Sequence, residues 1–186
     1  MTSYLYIVIG PYQSEKKLSL IRQINLSSSS TTTSCIICRE EDFIKLNIFL
    51  EKYSKKHIEI IQITDDIDSH IDEICLSYNN IGVLNGHKFN SIKNFVFNLL
   101  INHKKVFISS INSDETLSLN KEISNIIPLC NKIDYNKGIC YIMNCSNDAT
   151  INDYSITNVS PICLNCYIKK IDKSKIAFQS ASFSYL

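Results

Sequence analysis

Four cysteines in the last third of the chain are spaced to hold a metal. Cys140-x4-Cys145 is followed by seventeen residues and then Cys163-x2-Cys166, the layout of two zinc-ribbon knuckles. Four thiolates at about 2.3 Å around Zn²⁺ form a closed structural site, and metal binding then supplies folding free energy to a segment with little core of its own. The first knuckle is two residues longer than the usual C-x2-C, which leaves unligated buried thiols as the alternative. Cys35-x2-Cys38 also has a two-residue gap, but it lies on an apolar run that reads as a strand. Alternation there sends the two side chains to opposite faces, so both read as small buried hydrophobes. Cys75 falls on an apolar helix face, and Cys130 follows Pro-Leu with no ligand partner nearby.

A second chemistry is suggested near the N-terminus. The run Tyr4–Ile9 followed by Gly10-Pro-Tyr-Gln-Ser14-Glu-Lys16-Lys17-Leu18 has the order strand, short loop, lysine, helix that phosphate binding requires. In such a loop, glycines let backbone N–H groups approach the phosphates. The lysine meets the terminal phosphates, and a hydroxyl after it holds Mg²⁺. Gly10, Ser14, Lys16 and Lys17 are the candidate residues. Gly10 and Lys16 are correctly separated, but Glu15 replaces the glycine before the lysine and Lys17 replaces the hydroxyl residue. Taken alone, the segment reads as a strand followed by a charged helix start.

These groups need a scaffold, and 186 residues with 45% hydrophobic content, four glycines and three prolines are enough to build a core and too apolar for a disordered chain. The net charge of +1 argues against a nucleic-acid or membrane-surface binder. The opening residues lack the basic start of a secretory signal, and no apolar run approaches the roughly 20 residues of a membrane span. The expected location is the cytoplasm.

Apolar runs at Leu5–Ile9, Cys35–Cys38, Ile58–Ile63, Ile81–Leu84 and Val106–Ile111 read as buried strands alternating with helices. Ile92, Phe95, Val96, Leu99 and Leu100 form an apolar helical stripe. Asp65 or Asp66 is positioned to start a short helix through Ile67, Ile71 and Ile74. Ser27–Ser34 reads as a solvated connection, His57, His70 and His103 as surface residues, and Ile176–Leu186 as a last strand or ordered tail. After Cys130 the sequence turns Asn-rich, which places a boundary near residue 131. Residues 1–130 then form an α/β domain, and residues 131–186 a small metal-binding subdomain.

In order and spacing, these segments resemble the type II (cytosolic, viral and bacterial type) thymidine kinases. Ile7-Val-Ile-Gly10-Pro-x-x-Ser14-x-Lys16 with Leu20-Ile21-Arg22 is similar to the family's strand, G-P-M-F-S-G-K-[ST] and E-L-I-R. Ile81-Gly-Val-Leu84-Asn85-Gly86-His87-Lys88-Phe89 stands where that family reads I-G-I-D-E-[GA]-[QH]-F-F. Val106-Phe-Ile-Ser-Ser-Ile-Asn112 takes the place of V-I-V-A-A-L-[DN]. Ile126-Ile-Pro128-Leu129 falls on L-[IV]-P-L, and Ile162-Cys163-Leu-Asn-Cys166-Tyr167 on V-C-R-x-C-[YF].

The resemblance implies a P-loop-type parallel sheet flanked by helices with a C-terminal zinc ribbon, ATP-dependent phosphorylation of thymidine, and tetrameric assembly. It also implies that position 85 carries the catalytic base and position 84 a Mg²⁺ ligand. Here those positions hold Asn85 and Leu84; an amide is no base at neutral pH, and leucine binds no metal. His87 is a candidate substitute, roughly 7 Å along an extended chain from position 85. Tyr12, Lys88, Glu115–Asn120 and Val159 depart from the family's thymidine contacts. The expectations are therefore structural Zn²⁺, doubtful MgATP binding, and either a weakened deoxynucleoside kinase or an inactive module that assembles with copies of itself or with an active paralogue. Lys16, Lys17 and Lys88 read as a solvated rim.

Overall fold

The computed structural model describes residues 2–64, 66–155 and 159–172. Strand β1 (Tyr4–Gly10) leads through a loop to helix α1 (Lys16–Ser27), followed by β2 (Ser34–Cys38), α2 (Glu40–Tyr53) and β3 (Glu59–Gln62). A 3-10 turn (Ile67–His70) runs into α3 (Ile71–Ser77), and β4 (Asn80–Val83), α4 (Ile92–Ile101) and β5 (Lys105–Ile111) complete the pattern. Asp66 caps the turn by accepting from the backbone N–H of Asp68, as its position before the first apolar residue predicts.

Six parallel strands lie in the order β3-β2-β4-β5-β1-β6. Side chains alternate along β1. Leu5 and Ile7 enter a core shared with Ile74, Phe95, Val96 and Leu99, whereas Tyr6 and Val8 face Leu20, Ile21, Ile24 and Leu46 on the opposite side. A sheet covered by helices on both faces buries its strands completely, so they appear in the sequence as unbroken apolar runs. Cys35 and Cys38 obey the same alternation, one in each core, and burial pushes both thiols up.

The elements not anticipated by the sequence reading include α2 and the edge strand β6 (Lys132–Tyr135) beside β1. The sheet thus takes its last strand from beyond position 131. The remaining residues form two small antiparallel pairs, β7 (Gly138–Ile139) with β8 (Asp148–Ala149) and β9 (Ile151–Asp153) with β10 (Ser160–Ile162), followed by a helix over 164–172. The final segment Ile176–Leu186 lies outside the described residues. Among the described residues no helix is long and apolar enough to cross a membrane.

Candidate active site

The chain leaves β1 at Gly10, where only glycine fits. A Cβ there would lie 2.2 Å from the Asn136 carbonyl oxygen and 2.6 Å from Ser14 Oγ. The loop then turns through left-handed backbone at Gln13 (φ 58°) and Glu15 (φ 56°) and feeds α1 at Lys16. The Lys16 side chain folds back into this loop, donating to the Pro11 carbonyl and, at 3.1 Å, to Ser14 Oγ. Its ammonium is buried, which draws it down to about 8. No acidic residue or side-chain cap occupies the first turn of α1, an arrangement that favours an anion at the helix N-terminus.

Beside the loop lies a cavity of about 460 Å³, a size suited to a small organic ligand, with Ser14, Lys16, Lys17, Asp42, Leu84 and Asn85 among its lining residues. It opens at the C-terminal ends of β1, β4 and β5, where parallel sheets of this kind bind ligands. Lys17 leans toward α2, its Nζ 4.8 Å from the centre of the Phe49 ring, and desolvation lowers its pKa.

Asn85 caps the end of β4 in left-handed backbone (φ 55°), a conformation asparagine tolerates better than most residues. Its backbone N–H donates to Ser109 Oγ at 3.2 Å and its Nδ2 to Asp42 Oδ2 at 2.9 Å. Lys88 Nζ donates to the same Asp42 oxygen at 2.9 Å and to Glu41 Oε1 at 3.0 Å. Lys88 is therefore an ion-pair partner rather than part of a solvated rim. Burial alone would raise the Asp42 carboxyl, but the bonds from Lys88 and Asn85 hold it below its usual value. His87 turns away from this cluster. Its Nδ1 lies 3.2 Å from Ser110 Oγ and accepts from the Ile111 N–H at 3.4 Å. Burial, with the Lys88 and Lys16 charges, lowers it to about 4, so it is a neutral pin between the β4 end and β5.

The four cysteines predicted to meet do so. Their sulfurs all lie within 4.8 Å of one another, with Cys145–Cys163 at 3.8 Å and Cys145–Cys166 at 3.7 Å. A tetrahedron of sulfurs at about 2.3 Å from a metal has edges of about 3.8 Å. Backbone N–H groups of Cys163 and Cys166 point at Cys140 Sγ (3.4 Å) and Cys163 Sγ (3.5 Å), and the second draws the Cys163 thiol down to about 7. The cluster fits a metal ion.

A family model described as Thymidine kinase matches residues 3–164. The chain belongs to the thymidine kinase family. Similar proteins include the thymidine kinase of Amsacta moorei entomopoxvirus, 29% identical over 177 residues, which cover 87% of this chain and 96% of that protein. That of Choristoneura biennis entomopoxvirus is 29% identical over 181 residues (87% and 94%). That of Sheeppox virus (strain KS-1) is 26% identical over 149 residues (80% and 81%).

Within this thymidine kinase fold the sequence departures acquire a place. Leu84 is 1% exposed and belongs to the core formed with Tyr6, Val8 and Phe107; it is a packing residue, and an aspartate there would bury a charge. Positions 17 and 84 supply no ligand for Mg²⁺. Two residues of the site escaped the sequence reading. Asp42 is one, although Glu40-Glu41-Asp42 after an apolar strand carries the acidic signature of a helix first turn. Asn152 is the other. It is 1% exposed and joins three segments: its Oδ1 accepts from the Tyr12 N–H at 2.7 Å, and its Nδ2 donates to the Ser113 carbonyl at 3.1 Å and Asn112 Oδ1 at 3.4 Å. No local pattern announces such a tether.

Exposed Glu15 holds a backbone conformation that costs a non-glycine residue about 1–2 kcal/mol, and in sequence it adjoins Lys16. Glu15→Gly is expected to raise the melting temperature by about 2–4 °C and to tighten ATP binding severalfold. Scanning calorimetry and titration of ATP read both effects, and weaker ATP binding would refute the electrostatic part.

Proposed function

We propose that the chain transfers the γ-phosphoryl group of ATP to the 5′-hydroxyl of thymidine or a related deoxynucleoside, more slowly than a family member carrying both carboxylates at positions 84 and 85. The observation that carries this reading is the cavity uniting Lys16 and the α1 N-terminus with the end of β4. Phosphoryl transfer depends chiefly on positioning and charge neutralisation, and both parts of that apparatus meet there. In this reading Lys16 exchanges the Pro11 carbonyl for the terminal phosphates, and Asn85 orients neighbouring groups without taking a proton. The four thiolates hold structural Zn²⁺. The similar viral proteins named thymidine kinases support the same reaction class.

A second reading, an inactive module that keeps the fold for assembly, is favoured by one observation: Lys16 is already satisfied within its own loop. MgATP-dependent phosphorylation of thymidine by the zinc-loaded protein separates the two. Turnover that falls at least a hundredfold in Lys16→Ala supports the kinase. A protein with no turnover on any deoxynucleoside, beside an active family member as control, supports the module.

A further inference from the structure

The acid at position 85 is replaced by an amide, yet the cavity does not lack a partly buried carboxylate. Two acidic side chains line it, Glu15 and Asp42. Glu15 is exposed on the phosphate loop, where its charge would oppose that of the nucleotide. Asp42 projects from the first turn of α2, its side chain only 13% exposed, and meets the Asn85 amide at 2.9 Å. Lys88 and Asn85 both bind its Oδ2, so Oδ1 is the carboxylate oxygen that remains to accept a proton. His87, the alternative from the same strand end, is bound to β5.

We propose that Asp42 is the catalytic carboxylate of this protein, supplying from helix α2 the proton acceptor that Asn85 cannot be. The assignment rests on the phosphoryl-transfer reading above. The 5′-oxygen of the deoxynucleoside forms a bond to the γ-phosphorus of ATP while the bond from that phosphorus to the β–γ bridging oxygen breaks. The electron pair of the broken bond leaves with ADP, and the hydroxyl proton passes to Asp42 Oδ1 and then to water. Asn85 and Lys88 act as positioning residues, the amide holding the carboxylate at the end of β4 and the ammonium keeping it ionised.

The test is steady-state thymidine phosphorylation by Asp42→Asn, a substitution of the same shape that can still accept from Lys88. Loss of a general base costs about 10²–10⁴-fold, so kcat is expected to fall at least a hundredfold with the KM for ATP within about threefold. The fall in rate at acid pH expected of the parent, as Asp42 takes up a proton, should be absent from the variant. Asn85→Glu added to Asp42→Asn returns a carboxylate to the neighbouring position and is expected to recover at least tenfold of the lost rate, a gain at least tenfold larger than the same substitution gives in the parent; an equal gain in both backgrounds would mean that Asp42 is purely structural. A melting temperature within about 2 °C of the parent shows that the fold is kept. If Asp42→Asn retains kcat within threefold while Lys16→Ala abolishes turnover, this assignment fails and the kinase reading stands. If the parent phosphorylates no deoxynucleoside, both fail.

Discussion

Removing metal from the zinc-loaded protein is expected to unfold the ribbon that begins at β7 while the six-stranded sheet stays folded. The apolar cluster of that ribbon consists of Cys140, Ala149, Ile162 and Cys163, with Ile142, Cys145, Ile151, Cys166 and Tyr167 partly buried around it. Four of these nine residues are the cysteines that could hold the metal. So small a cluster cannot offset an ordering cost of about 1–2 kcal/mol per residue, whereas structural Zn²⁺ contributes about 10–16 kcal/mol in isolated zinc-finger peptides. Cys163→Ser should reproduce the effect. Amide spectra recorded with and without chelator provide the check: signals from residues 138–172 should collapse toward random-coil positions while those of β1–β5 hold. An unchanged spectrum would show that the four thiols pack without a metal, and collapse of the whole spectrum would show that the sheet depends on the ribbon.

Asn152→Ala is expected to destabilise the protein by about 3 kcal/mol and to weaken ATP binding about tenfold. The substitution removes a buried acceptor from the Tyr12 N–H and a donor from the Ser113 carbonyl. Buried groups left unsatisfied cost about 1–3 kcal/mol each. The Tyr12 N–H belongs to the loop between β1 and α1, proposed above to hold the phosphates, so that loop loses its anchor on β9 at the same time. Urea unfolding gives the first quantity and nucleotide titration the second. A stability loss under 1 kcal/mol would mean that water replaces the amide, and unaltered ATP affinity would mean that the loop holds its shape through Lys16 and Gly10 alone. Because Asn152 lies in the ribbon, metal removal should weaken ATP binding by the same route.

The parts of this molecule legible in its sequence are those that repeat or lie close together. β1, β2, β4 and β5 are largely buried and appear as apolar runs, and the edge strand β3 is marked by Ile58–Ile63; the α4 stripe recurs at helical spacing; the cysteine pairs are spaced for a single metal. β6 was not legible because Lys132-Ile-Asp-Tyr135 is an edge strand with mixed exposure, and its register depends on Asn131, which accepts from the Leu5 N–H and donates to the Leu5 carbonyl. The site divides in the same way. Lys16 and Asn85 sit in segments with recognisable spacing, whereas Asp42 reaches Asn85 across 43 positions and Asn152 reaches Tyr12 across 140. Contacts of that range leave no mark in a local window. His87 shows the reverse: its type suggested a base, and only its neighbours Ser110 and Ile111 reveal a structural role.

The position of β1 between β5 and β6 also sets an order of events during synthesis. Tyr4 pairs with Lys105 and Tyr6 with Lys132, so β1 has no native partner strand until about 100 further residues have been made. At roughly 5–20 residues per second, the apolar segment Leu5–Ile9 waits about 5–20 s, open to chaperones and to other nascent chains. The loop between β1 and α1 is therefore made well before the strands β5 and β6 and the Asn152 tether that hold it.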